Sequence, residues 1–191
     1  NHVIAEIRRA GYLYLLIAHI GALAILLCFG VLQANTGDYT FANMRAQELT
    51  PFWASVAFLL AFFGFGAKAG IVPLHIWLPE AHPAAPSPVS ALMSAVMLKT
   101  AVYGLLRVTF DLIATPLWWW GAVLLALGLA TALFGVVFAA VQVDMKRLLA
   151  YSSIENIGLI FAAIGLTLVF AAYRMHALAA LALTAALYHV A

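Results

Sequence analysis

PFWASVAFLLAFFGFGAKAGIVPLH, residues 51–75, holds a single lysine, Lys68, and no Asp, Glu or Arg. About 20 mainly apolar residues suffice to cross a bilayer as a helix. Pro51 suits a first helical turn, where its missing amide costs nothing. Within FFGFGAKAGIVPLH (62–75), Gly64, Gly66 and Gly70 weaken the helix and Pro73 removes a backbone donor. The spacing predicts a membrane helix that breaks beside Lys68. The carbonyls freed by such a break need water, side chains or ions as partners. Broken helices near mid-membrane recur in ion and substrate transport.

The rest of the chain fits the same solvent. Of 191 residues, 66% are hydrophobic and 8% charged, with a mean hydropathy of +1.07. Water-soluble domains are about half apolar and a quarter charged. The composition therefore predicts an all-α, polytopic transmembrane bundle with one broken helix. Expected spans are 10–32, 51–75, 88–110, 116–141, 152–172 and 175–191, the last cut short, forming one transmembrane domain fragment. Asn1 is not an initiator methionine and Ala191 falls inside an apolar run, so a middle piece of a longer chain is expected. A net charge of +2 excludes binding to nucleic acid by phosphate neutralisation. Cys28 is the only cysteine, so neither a disulfide framework nor a Cys-based metal site is available.

The connections carry the remaining charge. Gln33–Thr50 is polar, and 142–149 holds Asp144, Lys146 and Arg147. Pro79, Pro83, Pro86 and Pro88 crowd the link between the second and third spans, which cannot be helical throughout. Glu80 and His82 in that link read as surface groups. Arg8, Arg9, Lys146 and Arg147 fall on one side of the membrane, and Arg45, Arg107 and Arg174 on the other. The first side is expected to be cytoplasmic. Trp118, Trp119 and Trp120 are expected to anchor their helix at the headgroups.

Two cations stand where charge is expensive. Lys68 and Lys99 fall inside predicted spans, and a cation at mid-bilayer costs roughly 3 kcal/mol on insertion scales. Such residues face a bundle interior or a hydrated path. A lysine held between burial and a nearby carboxylate binds and releases protons. Static ion pairing or snorkelling is the plainer alternative. Tyr103 and Arg107 follow Lys99 at helical spacing; Arg107, near a helix end, is expected to snorkel. Ser90 and Ser94 form a small-residue pair that admits a neighbouring helix. His75 is a candidate proton relay. His19 and His189 are intramembrane histidines whose plainer role is bonding a neighbouring helix. Glu155 reads as the electrostatic cap of the fifth span or, more sharply, as a group at a proton entrance. His75, Glu80 and His82 match no metal-binding spacing.

GAKAGIVPLHIWLPEAHPAAPSPVSALMSAVMLKTAVYGLLR (66–107) resembles the core of the proton-translocating antiporter-like membrane subunits. That family spans respiratory complex I, multi-subunit Na⁺/H⁺ antiporters and group 4 hydrogenases. DMKRLLAYSSIENIG (144–158) is similar to the family's charged loop and following helix. Complex I and antiporter members usually carry a Ser/Thr-rich segment with Gln or His where this chain has Ser153-Ile154-Glu155-Asn156. That wording looks like the large membrane subunits of hydrogenase-4 and formate hydrogenlyase complexes.

The resemblance implies a subunit of about fourteen helices built from inverted repeats. This chain would cover the sixth to eleventh, with the repeat boundary near Asp111 to Pro116. It implies that Lys68 pairs with a glutamate on an earlier helix, upstream of Asn1. Lys99 would be the central-axis lysine, with His75 and His189 at polar axis positions. A terminal lysine or glutamate would lie beyond Ala191. It implies a proton-translocating, multi-pass subunit in a bacterial inner membrane. Its partners would be protons, lipid, and other membrane and soluble subunits of a hydrogenase or complex I-like assembly. It would have no cofactor or redox centre of its own. A Na⁺/H⁺ antiporter subunit or an NADH:quinone oxidoreductase subunit is the alternative. A haem-binding subunit using His19 and His189 is a third expectation.

Overall fold

The computed structural model describes residues 2–34, 37–113 and 116–190. Parts of the expected Gln33–Thr50 loop and of the repeat boundary, and the last residue of the sixth span, lie outside them. The described residues are helical throughout apart from short connections. Helices α1 (His2–Gln33), α2 (Phe41–Ala46) and α3 (Pro51–Ala69) are followed by one 3₁₀ turn, Leu74–Ile76. Next come α4 (Trp77–Ala84), α5 (Ser87–Leu92), a π turn at Met93–Met97, α6 (Leu98–Leu106) and a second π turn at Arg107–Leu112. The chain ends with α7 (Trp118–Ala140), α8 (Met145–Ala172) and α9 (His176–Val190).

Among the described residues five helical runs are long and apolar enough to cross a membrane: Ala5–Gln33, Pro51–Ala84, Ser87–Leu112, Trp118–Ala140 and Met145–Ala172. Large apolar side chains such as Leu23, Leu26, Leu129 and Leu133 are exposed on the outside of the bundle. That surface suits lipid, which solvates apolar side chains as a soluble core does. Inside, Phe58 of α3 stacks on Trp120 of α7, with ring centroids 4.7 Å apart. Trp120 is fully buried and its indole N–H points to Ser55 Oγ at 3.3 Å. Only Trp118 is exposed as an anchor should be. Trp120 is a core residue because α7 turns that face onto α3.

The second span breaks, and the chain shows how. Gly70 takes φ +80°, and its amide closes α3 on the Gly66 carbonyl at 2.9 Å. The following amide, of Ile71, bonds the same carbonyl at 3.0 Å. Ala67 is thereby left without a helical donor, and the Trp77 indole N–H fills that place at 2.9 Å. The Val72 amide donates to Thr131 Oγ1 on α7 at 3.1 Å. Buried side chains thus satisfy backbone groups that a bilayer would leave unpaired.

Gly70→Ala is expected to lower stability by about 2–3 kcal/mol. A Cβ there would run into Leu78, at a φ that disfavours L residues. Denaturant unfolding in detergent should show it. Gly11→Ala, which meets nothing within 4 Å, should be neutral or slightly stabilising.

The other helices depart from the expected extents for physical reasons. α8 starts at Met145, not near 152, because the Asp144 carboxylate accepts the Arg147 amide at 2.8 Å and caps the helix there. Glu155 therefore sits three turns in and is not a terminal cap. The proline-rich link is helical over Trp77–Ala84, with Pro79 in the first turn, where amides are unpaired in any case. Within it His82 is buried, not a surface group.

Candidate functional site

α3 and α4 present Lys68 at the break. Lys68 is half-buried in the last turn of α3, where the negative end of the helix dipole favours a cation. It lines a narrow crevice with Tyr14, Ile17 and Ala18 of α1, Trp77 of α4 and Met97. Tyr14 packs on Trp77 with centroids 5.3 Å apart, and its hydroxyl lies 3.6 Å from Met97 Sδ. Among the described residues Lys68 has no ion-pair partner.

A second site lies across the π turn. A groove of about 280 Å³ is lined by Ser94, Lys99, Ser153, Asn156 and His189, with Ala91, Ala95, Leu98, Ile157 and Ile160 as apolar walls. Ser153 Oγ lies 3.3 Å from Ser94 Oγ and 2.9 Å from the Leu149 carbonyl. Lys99 is exposed along this face of α6, not enclosed. The π turn at Met93–Met97 separates the two lysines: Ser94 and Ala95 face the Lys99 groove and Met97 faces the Lys68 crevice. Such bulges inside α-helices are frequent at functional sites.

The fold therefore brings Lys99 and His189 to one groove and sets the other candidates apart. His75 lies in the 3₁₀ turn with its ring 4.6 Å from that of Phe134, and its Nδ1 is buried without a hydrogen-bond partner. Glu155 is half-buried on α8, its backbone pressed against Gly135 of α7. Its neighbour Asn156, not Glu155, lines the groove. His19 gives a ring nitrogen to the Leu15 carbonyl at 2.7 Å on an exposed face. Among the described residues no three His, Cys, Asp or Glu side chains could hold a metal. Tyr14 and Met97 escaped sequence reading, and Ser153 and Asn156 entered it only as part of the family resemblance, because which side chains line a site depends on how the neighbouring helix is placed.

Charge gathers at the two ends of the bundle. At one end Glu6, Arg9, Glu80, Pro83, Ala84 and Arg147 surround an open recess of about 370 Å³. Arg147 approaches Glu80 at 3.8 Å, and Lys146 Nζ donates to the Ala85 carbonyl at 2.8 Å. At the other end Arg45 and Arg107 both reach Asp111, at 2.7 and 3.1 Å. Arg107 also lies over the Phe41 and Tyr103 rings. It is held by a carboxylate and two rings and does not simply snorkel.

Three comparisons bear on this arrangement. A family model described as NADH:quinone oxidoreductase/Mrp antiporter, TM, matches residues 5–191. Hydrogenase-4 component B of Escherichia coli (strain K12) is 48% identical over 184 residues, covering 95% of this chain and 27% of the relative. Formate hydrogenlyase subunit 3 of the same organism is 38% identical over 184 residues, covering 95% and 30%. A chain of the Mrp complex from Dietzia sp. superposes with a TM-score of 0.72 at 25% identity, covering 95% of this chain and 35% of that one. The chain thus spans less than a third of the length of these curated relatives.

Proposed function

Since the chain belongs to the NADH:quinone oxidoreductase/Mrp antiporter transmembrane family, we propose that it is the proton-conducting part of a hydrogenase-4- or formate-hydrogenlyase-like membrane subunit. The observation that carries the reading is the groove where Lys99, His189, Ser94, Ser153 and Asn156 converge. A lysine and an imidazole accept and release protons, and hydroxyls and an amide order water between them. Lys68, at the break, is the neighbouring station; its counter-charge is a carboxylate outside this chain. His75 and Glu155, which do not line the groove, are secondary stations.

In this reading the chain is one transmembrane domain of about six helices, seated in a bacterial inner membrane. Other membrane subunits complete the assembly, and soluble partner subunits perform the electron transfer. Their redox change shifts the proton affinity of Lys68 and Lys99, and the chain itself carries no redox centre. The test is protons moved per redox turnover in proteoliposomes holding the assembled complex, with Lys68→Ala and Lys99→Ala. Unchanged coupling in both variants would remove the assigned roles. The likeness to the Mrp complex chain favours one second reading, a cation/proton antiporter subunit. Sodium-dependent proton flux without a redox substrate would select it.

A further inference from the structure

Thr131 stands at a place in the fold that the reading above leaves unused. It is fully buried in the middle of α7, and its hydroxyl makes two bonds. The hydroxyl proton goes to the Leu127 carbonyl at 2.6 Å, one turn back, a common arrangement for threonine in a helix. The oxygen remains as an acceptor, and the Val72 amide donates to it at 3.1 Å. The two preceding amides of the break, of Gly70 and Ile71, fold back on Gly66 instead. The next residue, Pro73, has no amide. Phe134, three residues on along the same face of α7, meets the His75 ring with centroids 4.6 Å apart. α7 therefore holds the break at two points, Val72 and His75, while the Lys68 crevice opens against α1.

We propose that Thr131 is a positioning residue for Lys68, a hydrogen-bonded latch that fixes the broken helix to the α7–α8 hairpin. The inference rests on the proposed function and deepens it. Thr131 carries no proton between stations; it acts through where it keeps Lys68. The hairpin is the firm support. Gly158 of α8 packs backbone to backbone on Ala132, the residue next to Thr131. Asn156 and Ile157, just before Gly158, and Ile160, just after it, line the Lys99 groove. One hydrogen bond thus ties the segment that places Lys68 to the hairpin that walls Lys99, and holds the two stations in register. Without the hydroxyl the Val72 amide is left unpaired at membrane depth and must find another partner. Segment 70–73 then shifts or draws in water, and Lys68 moves with it. Transfer between positioned groups falls steeply when one is displaced by even an ångström.

The experiment measures protons moved per redox turnover by the assembled complex in proteoliposomes, with Thr131→Val and Thr131→Ser. Valine keeps the shape and removes the acceptor, whereas serine keeps the acceptor. Thr131→Val should lower coupling about tenfold, and Thr131→Ser should stay within about twofold. Hydrogen exchange read by mass spectrometry should show the Val72 amide at least about tenfold less protected in Thr131→Val than in Thr131→Ser. Equal losses of coupling in the two variants would make the effect one of packing and overturn the latch. Unchanged protection of the Val72 amide in Thr131→Val would overturn it as well. Wild-type coupling in Thr131→Val beside a loss in Lys68→Ala would overturn the latch and leave the proposed function standing. Wild-type coupling in Lys68→Ala would remove Lys68 as a station, and the latch with it. If Thr131→Val does not assemble, Thr131→Ala, which also lacks the hydroxyl, decides by the same criteria.

Discussion

Lys99→Ala is expected to cut protons moved per redox turnover by about a hundredfold, and Lys99→Arg by nearly as much. The argument turns on the second variant. Arginine keeps the positive charge but does not release its proton at any working pH. If Lys99 were a static charge that only fixed packing, arginine would replace it and flux would persist. If Lys99 carries protons, arginine is as poor as alanine. Within the groove only His189 offers another titratable side chain, and Ser94, Ser153 and Asn156 cannot hold a proton between hops. The measurement is dye-reported proton uptake in proteoliposomes, normalised to redox turnover and to assembled subunit. Near-wild-type flux in Lys99→Arg is the result that would end the proton-carrier role. Lys68→Arg poses the same question at the break, where the guanidinium must also fit a crevice walled by Tyr14, Trp77 and Met97.

Much of this arrangement was legible before any helix was placed. Residues 51–75 spell out a span, and Gly70 with Pro73 marks where it ends. The reading that freed carbonyls need partners was sound, but which partner could not be read. Trp77 lies ten residues beyond Ala67 and reaches back only because the chain turns at Gly70. Four prolines suggest a loop and so a surface place for His82; the short helix Trp77–Ala84 buries it instead. Glu155 was misplaced because hydropathy sees the apolar run and not the cap. Asp144 begins α8 about two turns before the expected start near Ser152. Lys99 and His189 are 90 residues apart, and their shared groove depends on how α9 lies beside α6 and α8. No local pattern encodes that.

Gly158→Leu is expected to unfold the α7–α8 hairpin, and Gly158→Ala to cost about 1–3 kcal/mol. The reason is a spacing that hydropathy conceals. Gly121, Gly128 and Gly135 recur every seven residues on α7, and Gly158 and Gly165 do so on the antiparallel α8. A Cβ on Gly158 would lie 2.7 Å from the Gly128 carbonyl oxygen and 2.8 Å from Ala132 Cα. One on Gly165 would lie 2.6 Å from the Gly121 oxygen, and one on Gly135 2.5 Å from the Glu155 amide nitrogen. Backbone, not a movable side chain, occupies each place. In a bilayer apolar side chains gain nothing by leaving lipid, so helices associate through close backbone packing. A seven-residue repeat keeps the two glycine faces together along a left-handed coil. Leucine at Gly158 forces the helices apart and strips that packing along their length. It also displaces Ser153 and Asn156, which α8 holds in the Lys99 groove. Denaturant unfolding in detergent measures the loss. Leu133→Ala, on the exposed side of α7, should shift stability by no more than about 0.5 kcal/mol. Equal stability in Gly158→Leu and Leu133→Ala would mean that the two backbones do not touch.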